Sequence, residues 1–72
     1  MKVLVRSPLM TDRIQETLES YCDDGVKFEL LSRRGMAMEF EVNDTDPAAL
    51  AKRIIRATDF GQGLNFSAIN QK

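Results

Sequence analysis

Two alternating apolar runs, Val26 to Leu30 and Met36 to Val42, flank Ser32-Arg33-Arg34-Gly35 and predict a β-hairpin. Val26, Phe28 and Leu30 share one face of the first strand; Met36, Met38, Phe40 and Val42 share one face of the second. Side chains alternate along a strand, so a one-residue slip would turn an apolar set outward, and the register can be read from the pattern. A three-residue loop, Arg33-Arg34-Gly35, pairs Ser32 with Met36, Leu30 with Met38, Phe28 with Phe40 and Val26 with Val42. Such a loop ends on a left-handed residue, the place Gly35 takes. A two-residue loop at Arg34-Gly35 would set Leu30 against Glu39 and mix the faces. On the outer face the preferred register opposes Lys27 to Glu41, which attracts, and Glu29 to Glu39, which repels.

The remaining pattern supplies two more strands and two helices. Lys2 to Ser7 alternates around Val3 and Val5 and reads as a strand ended by Ser7-Pro8. Met10, Ile14, Leu18, Tyr21 and Cys22 then follow helical spacing, with Thr11 or Ser7 as cap and Asp24-Gly25 as the stop. On this reading Cys22 lies on the apolar stripe as a small buried thiol, Tyr21 packs with its hydroxyl at the rim, and Met36 and Met38 fill the core. Asp46 caps a second helix with Pro47 in its first turn, running to about Thr58 and burying Leu50, Ala51, Ile54, Ile55 and Ala57. After the Gly61-Gln62-Gly63 loop, Leu64, Phe66 and Ala68 alternate with Asn65, Ser67 and Ile69 in a final polar strand, leaving residues 71 and 72 as a frayed end.

Composition narrows this picture without adding chemistry. A chain of 72 residues makes one domain, residues 1–72. At this size folding buries only about 60% of the unfolded surface. With 43% hydrophobic and 29% charged residues it reads as globular, and a net charge of −1 points to no polyanionic partner by itself. One cysteine and no histidine leave neither an internal disulfide nor the usual metal ligand and general base, and fit a reducing, cytoplasmic setting. No long apolar run or signal-peptide pattern is present, so neither membrane nor cofactor is expected.

Strand, helix, hairpin, helix, strand is the ferredoxin-like βαββαβ plan, an α+β two-layer sandwich with antiparallel sheet order 4-1-3-2 and both helices on one face. That plan gathers Arg6, Ser7, the start of the first helix, Arg33, Arg34, Gly61-Gln62-Gly63 and Arg56 at one end, and Asp23, Asp24, Asp44 and Asp46 at the other. Arg6, Ser7, Arg33, Arg34 and Arg56 are therefore candidates for binding an anion or partner. The bland account is that hairpin-tip arginines are solvated and that Asp44, Asp46 and Arg56 answer the helix dipole. Leu4, Leu31, Ala37 and Ile69 should point away from the helices, and form a candidate interface if they cluster.

The whole chain resembles regulatory modules of the ACT type in size and strand order. That resemblance implies amino-acid binding near the first strand-helix loop and at subunit interfaces. The loop here, Arg6-Ser7-Pro8-Leu9-Met10-Thr11-Asp12, lacks that family's glycine and acidic pattern, so no ligand residue is carried over. An RNA-recognition motif would need outward aromatics where this chain has Leu4, Glu39 and Glu41. Heavy-metal domains of this plan use paired cysteines in the first loop, and an acylphosphatase a phosphate-cradling one; neither is found in Ser7-Pro8-Leu9-Met10. Glu39 and Glu41 share a strand face without a second catalytic element. The expected function is thus a non-enzymatic interaction or regulatory module that binds a protein or itself as a homodimer. The alternative is an anion or nucleic-acid backbone binder using Arg6, Arg33, Arg34, Lys52, Arg53 and Arg56.

Overall fold

The computed structural model describes residues 1–71 and builds one antiparallel five-stranded sheet with two helices. β1 is Lys2–Arg6, α1 Thr11–Ser20, β2 Cys22–Asp23, β3 Val26–Arg34, β4 Ala37–Val42, α2 Pro47–Arg56 and β5 Ser67–Gln71. Of the end expected to fray, Gln71 closes β5 and residue 72 lies outside the described residues.

The strand order is β2-β3-β4-β1-β5, in place of four strands ordered 4-1-3-2. Asp24-Gly25 causes the difference. Both residues take positive φ, 53° and 78°, as a type I′ turn demands, so the segment folds back on itself rather than merely ending a helix. Cys22 then pairs with Lys27 and Asp23 with Val26, adding an edge strand. α1 accordingly stops at Ser20, and Cys22 is exposed on that edge instead of buried on a helical stripe.

Alternation sets the layers. Val3, Val5, Met38, Phe40 and Val42 are fully buried together with Ile14 and Leu18 of α1 and Ala51 and Ile55 of α2. α1 lies over β3, α2 over β5 and β1, and the helices touch one another, so one sheet face carries both and the other is bare. Tyr21, Phe28 and Phe40 chain edge-to-face, with centroids 6.0 and 5.9 Å apart.

The hairpin register differs from the expected one in two coupled ways. Arg34 pairs with Ala37, so the turn is the two residues Gly35-Met36, with positive φ only at Gly35, the pattern of a II′ turn. A bulge compensates: Leu30 pairs with Phe40 and Ser32 with Glu39, leaving Leu31 as the extra residue. The bulge keeps Phe28 and Leu30 on the core side despite the shorter turn, which is how a two-residue loop avoids mixing the faces. Two consequences follow for the expected contacts. Met36 sits exposed in the turn rather than in the core, and Glu29 faces Glu41 rather than Glu39.

α2 begins as expected, with Asp46 accepting the Ala49 N–H at 3.3 Å, but ends at Arg56; Ile54 is half-buried and Ala57 exposed. Its start is tied to the sheet by Asn70, whose Oδ1 accepts the Ala48 N–H at 2.8 Å while its Nδ2 donates to Asp46 at 2.9 Å. The amide of Asn70, then the Ala49 N–H, hold the Asp46 carboxyl below its ordinary value of 3.8. A depressed folded pKa contributes stability above the unfolded value and loses it as pH falls through the folded one. Asn70→Ala removes both of these hydrogen bonds and should lower the thermal midpoint near neutrality. It should also flatten the fall in thermal midpoint expected of the native chain as pH drops below 3.8 and through the lowered Asp46 pKa, which a melting series checks. β5 starts only at Ser67, because Leu64, although buried, belongs to the turn-rich connection after α2.

Candidate functional site

The candidate residues converge at the end of the sheet where β1 and β3 finish and β4 and β5 begin. Arg6 lies opposite Ala37 on one side and Ser67 on the other, and Ala37 in turn lies opposite Arg34. The loop after β1 is held by Ser7, which is fully buried. Its Oγ donates to the Leu9 carbonyl at 2.7 Å, its N–H to the Met36 carbonyl at 3.1 Å, and its carbonyl accepts from the Thr11 hydroxyl at 3.4 Å. With these bonds made, Ser7 shapes the loop and offers no donor to a ligand. Met10, rather than Ser7 or Thr11, is the N-cap, in a left-handed conformation (φ 61°) with no capping side-chain bond.

The arginines separate into two kinds. The bulge at Leu31 puts Arg33 opposite buried Met38, on the helix side, where its Nη1 meets Asp12 at 2.6 Å and Gln15 at 2.9 Å. The shallow groove there is lined by Asp12, Gln15, Glu16, Glu19, Ser20 and Arg33, so its carboxylates outnumber its one cation and an anion is repelled. Arg56 donates to the carbonyls of Gly61 and Gln62 at 2.8 and 3.2 Å and lies 4.8 Å over the Phe66 ring, bracing the loop after α2. Arg6 and Arg34 remain, and among the described residues neither makes an ion pair or a side-chain hydrogen bond.

Both stand on the bare face. With strands about 4.8 Å apart, two cations roughly 10 Å apart flank the methyl group of Ala37. The next row inward is Ser32, Glu39, Leu4 and Ile69, and the one beyond is Glu29, Glu41, Lys2 and Gln71. Charge thus changes sign along the strands, from Arg6 and Arg34 to Glu39, Glu29 and Glu41, with Leu4 and Ile69 beside Glu39 and Lys2 in the last row. Ile69 is 58% exposed and Leu31 44%, while Leu4 and Ala37 are half-buried; register puts Leu4, Ala37 and Ile69 on this face, and Leu31 is the bulge residue next to Ser32. In the outer row the Met1 amino group donates to Glu41 at 2.7 Å, and this bond holds the Glu41 carboxyl below its ordinary range.

In comparisons with known proteins, no family model, curated protein or solved structure matches the chain. Among the described residues no cluster of acidic and cysteine side chains could hold a metal ion, and no helix is long and apolar enough to cross a membrane.

Sequence reasoning missed a second apolar feature. Leu9, Met10 and Met36 are all exposed, and the Ser7 N–H bond to the Met36 carbonyl brings their two loops together beside Arg6 and Arg34. The signal for it was present in the doublet Leu30-Leu31, which breaks strict alternation, marks the bulge and so shifts Met36 into the turn.

Proposed function

We propose that this protein is a non-enzymatic binding module whose working surface is the bare face of the sheet, engaging a protein partner. The observation that supports this most is the coincidence on that face of Ile69, Leu31, Leu4 and Ala37 with the unpaired Arg6 and Arg34. Apolar side chains rimmed by charge are the usual make-up of a protein-binding patch. The strands β3-β4-β1-β5 keep a ferredoxin-like succession once β2 is set aside as an added edge, and the likeness to ACT-type modules is one of layout. A photo-cross-linking residue at Ile69 should give protein adducts in cells, and one at Lys52, on the outer side of α2, should not.

A second reading, binding of an anion or nucleic-acid backbone, is supported on the bare face by Arg6 and Arg34, since Arg33 and Arg56 are engaged within the fold and the exposed Lys52 and Arg53 stand apart on α2. An oligonucleotide titration at two salt concentrations separates the readings, because phosphate contacts weaken steeply with salt. No binding at the lower salt removes this second reading.

A further inference from the structure

Resting on the reading of the bare face as a binding surface, we propose that its occupant is a second copy of this chain, held by reciprocal ion pairs between Glu39 and the Arg6–Arg34 pair. Of the charges on this face that lack a partner among the described residues, Lys2 and Glu29 lie in the far row, and three sit together where β1 and β3 finish: Arg6, Arg34 and Glu39. They form a compact figure. Ala37 lies between the two arginines, and Glu39 lies on the same strand and face, two residues inward, about 7 Å away.

A two-fold interface must be self-complementary, because each group meets the group that the axis exchanges for it. An axis running across the strands, between the row of Ala37 and the row of Glu39, exchanges those rows. Each Glu39 carboxylate then sits above the other copy's Ala37, where a methyl group leaves room, with a guanidinium on either side. The same operation lays each Arg6 along the other copy's Leu4 and each Arg34 beside its Leu31 and Ser32, so the aliphatic stems of the arginines cover apolar side chains. An axis along the strands would instead set the arginine rows against each other and the glutamate rows against each other, which is repulsive. Charge therefore selects one packing. Paired guanidinium groups around a carboxylate give the stronger class of hydrogen bond.

A stable interface takes about 800 Å² from each partner. The chain exposes 4539 Å² in all, of which such an interface would take under a fifth.

Sedimentation of the full chain over a concentration series, with charge-swapped variants, tests the proposal. The native chain should pass from monomer to dimer as concentration rises. Glu39→Arg, and separately Arg6→Glu with Arg34→Glu, should each weaken self-association about a hundredfold or more. Mixing the two variants should restore a dimer, since the reversed charges complement one another. Circular dichroism on each variant identifies a folded monomer, and the exposed Arg6/Arg34 double variant stands as the test if Glu39→Arg unfolds. A constant monomer mass for the native chain overturns the proposal. So does a dimer indifferent to both variants, which is what pairing of free β5 edges would give, or a mixture that stays monomeric. Failure here is distinguishable from failure of the broader reading: cross-links from Ile69 to a different protein would leave the binding face standing with another occupant, whereas none from Ile69 would remove it.

Discussion

Phe40→Ala should lower stability by about 4 kcal/mol and the thermal midpoint by about 20 °C. Phe40 is fully buried at the centre of β4, opposite Val3 on one side and Leu30 on the other, and it stacks edge-to-face on Phe28. Truncation removes the transfer free energy of the ring and leaves a cavity between β1, β3 and the core side of the helix layer, so collapse is restricted. A domain of 72 residues has a total stability of only about 4–11 kcal/mol. The variant should therefore be partly unfolded at ambient temperature, which denaturant titration followed by circular dichroism measures. A loss below about 1 kcal/mol would mean that the sheet and helices are less tightly packed than the burial of Phe40 indicates.

Gly61→Ala should cost about 3 kcal/mol although it adds one methyl group. A Cβ at this position would intrude on the carbonyl of Ile55, inside van der Waals contact, and approach the Thr58 Oγ1 to 2.7 Å. Neither neighbour can yield easily. The Ile55 carbonyl accepts both the Thr58 hydroxyl at 2.6 Å and the Thr58 N–H at 3.1 Å, closing the end of α2. Moving the loop instead breaks the Gly61 N–H bond to Thr58 at 3.0 Å and the Arg56 bond to the Gly61 carbonyl at 2.8 Å. Gly63→Ala is the internal control: a Cβ there meets nothing within 4 Å, so its urea midpoint should stay near the native one. Equal midpoints for the two variants would contradict the close approach at Gly61.

What could be read from the chain beforehand was set by local periodicity. The core faces of β1 and β4, the stripe of Ile14 and Leu18, and the Asp46-Pro47 helix start each depend on residues within one turn or one strand of each other. The features that escaped depend on distant partners. Leu31 can bulge because the shifted Arg33 finds Asp12 and Gln15 on α1, a contact that strand alternation does not encode. Asp24-Gly25 was ambiguous, since the same dipeptide serves as a helix stop and as a type I′ turn, and only the pairing of Cys22 and Asp23 with β3 decides it. The candidate site shows the same division. That arginines gather at one end follows from strand order; that Arg33 and Arg56 are engaged while Arg6 and Arg34 are not follows from side chains meeting across the fold.

The resulting surface is organised around the hairpin. Its bulge turns Arg33 toward α1 and leaves Arg34 outward, and its second strand carries both Ala37 and Glu39. A register of the expected kind would have placed these charges differently, so the binding face is a product of the bulge as much as of the strand order.

Photo-cross-linking in cells from two positions, Ile69 on the bare sheet face and Lys52 on the exposed side of α2, separates a working surface from an ordinary one. Protein adducts from Ile69 should lie well above those from Lys52; equal yields from the two, or a higher yield from Lys52, would mean that the bare face is not the binding surface.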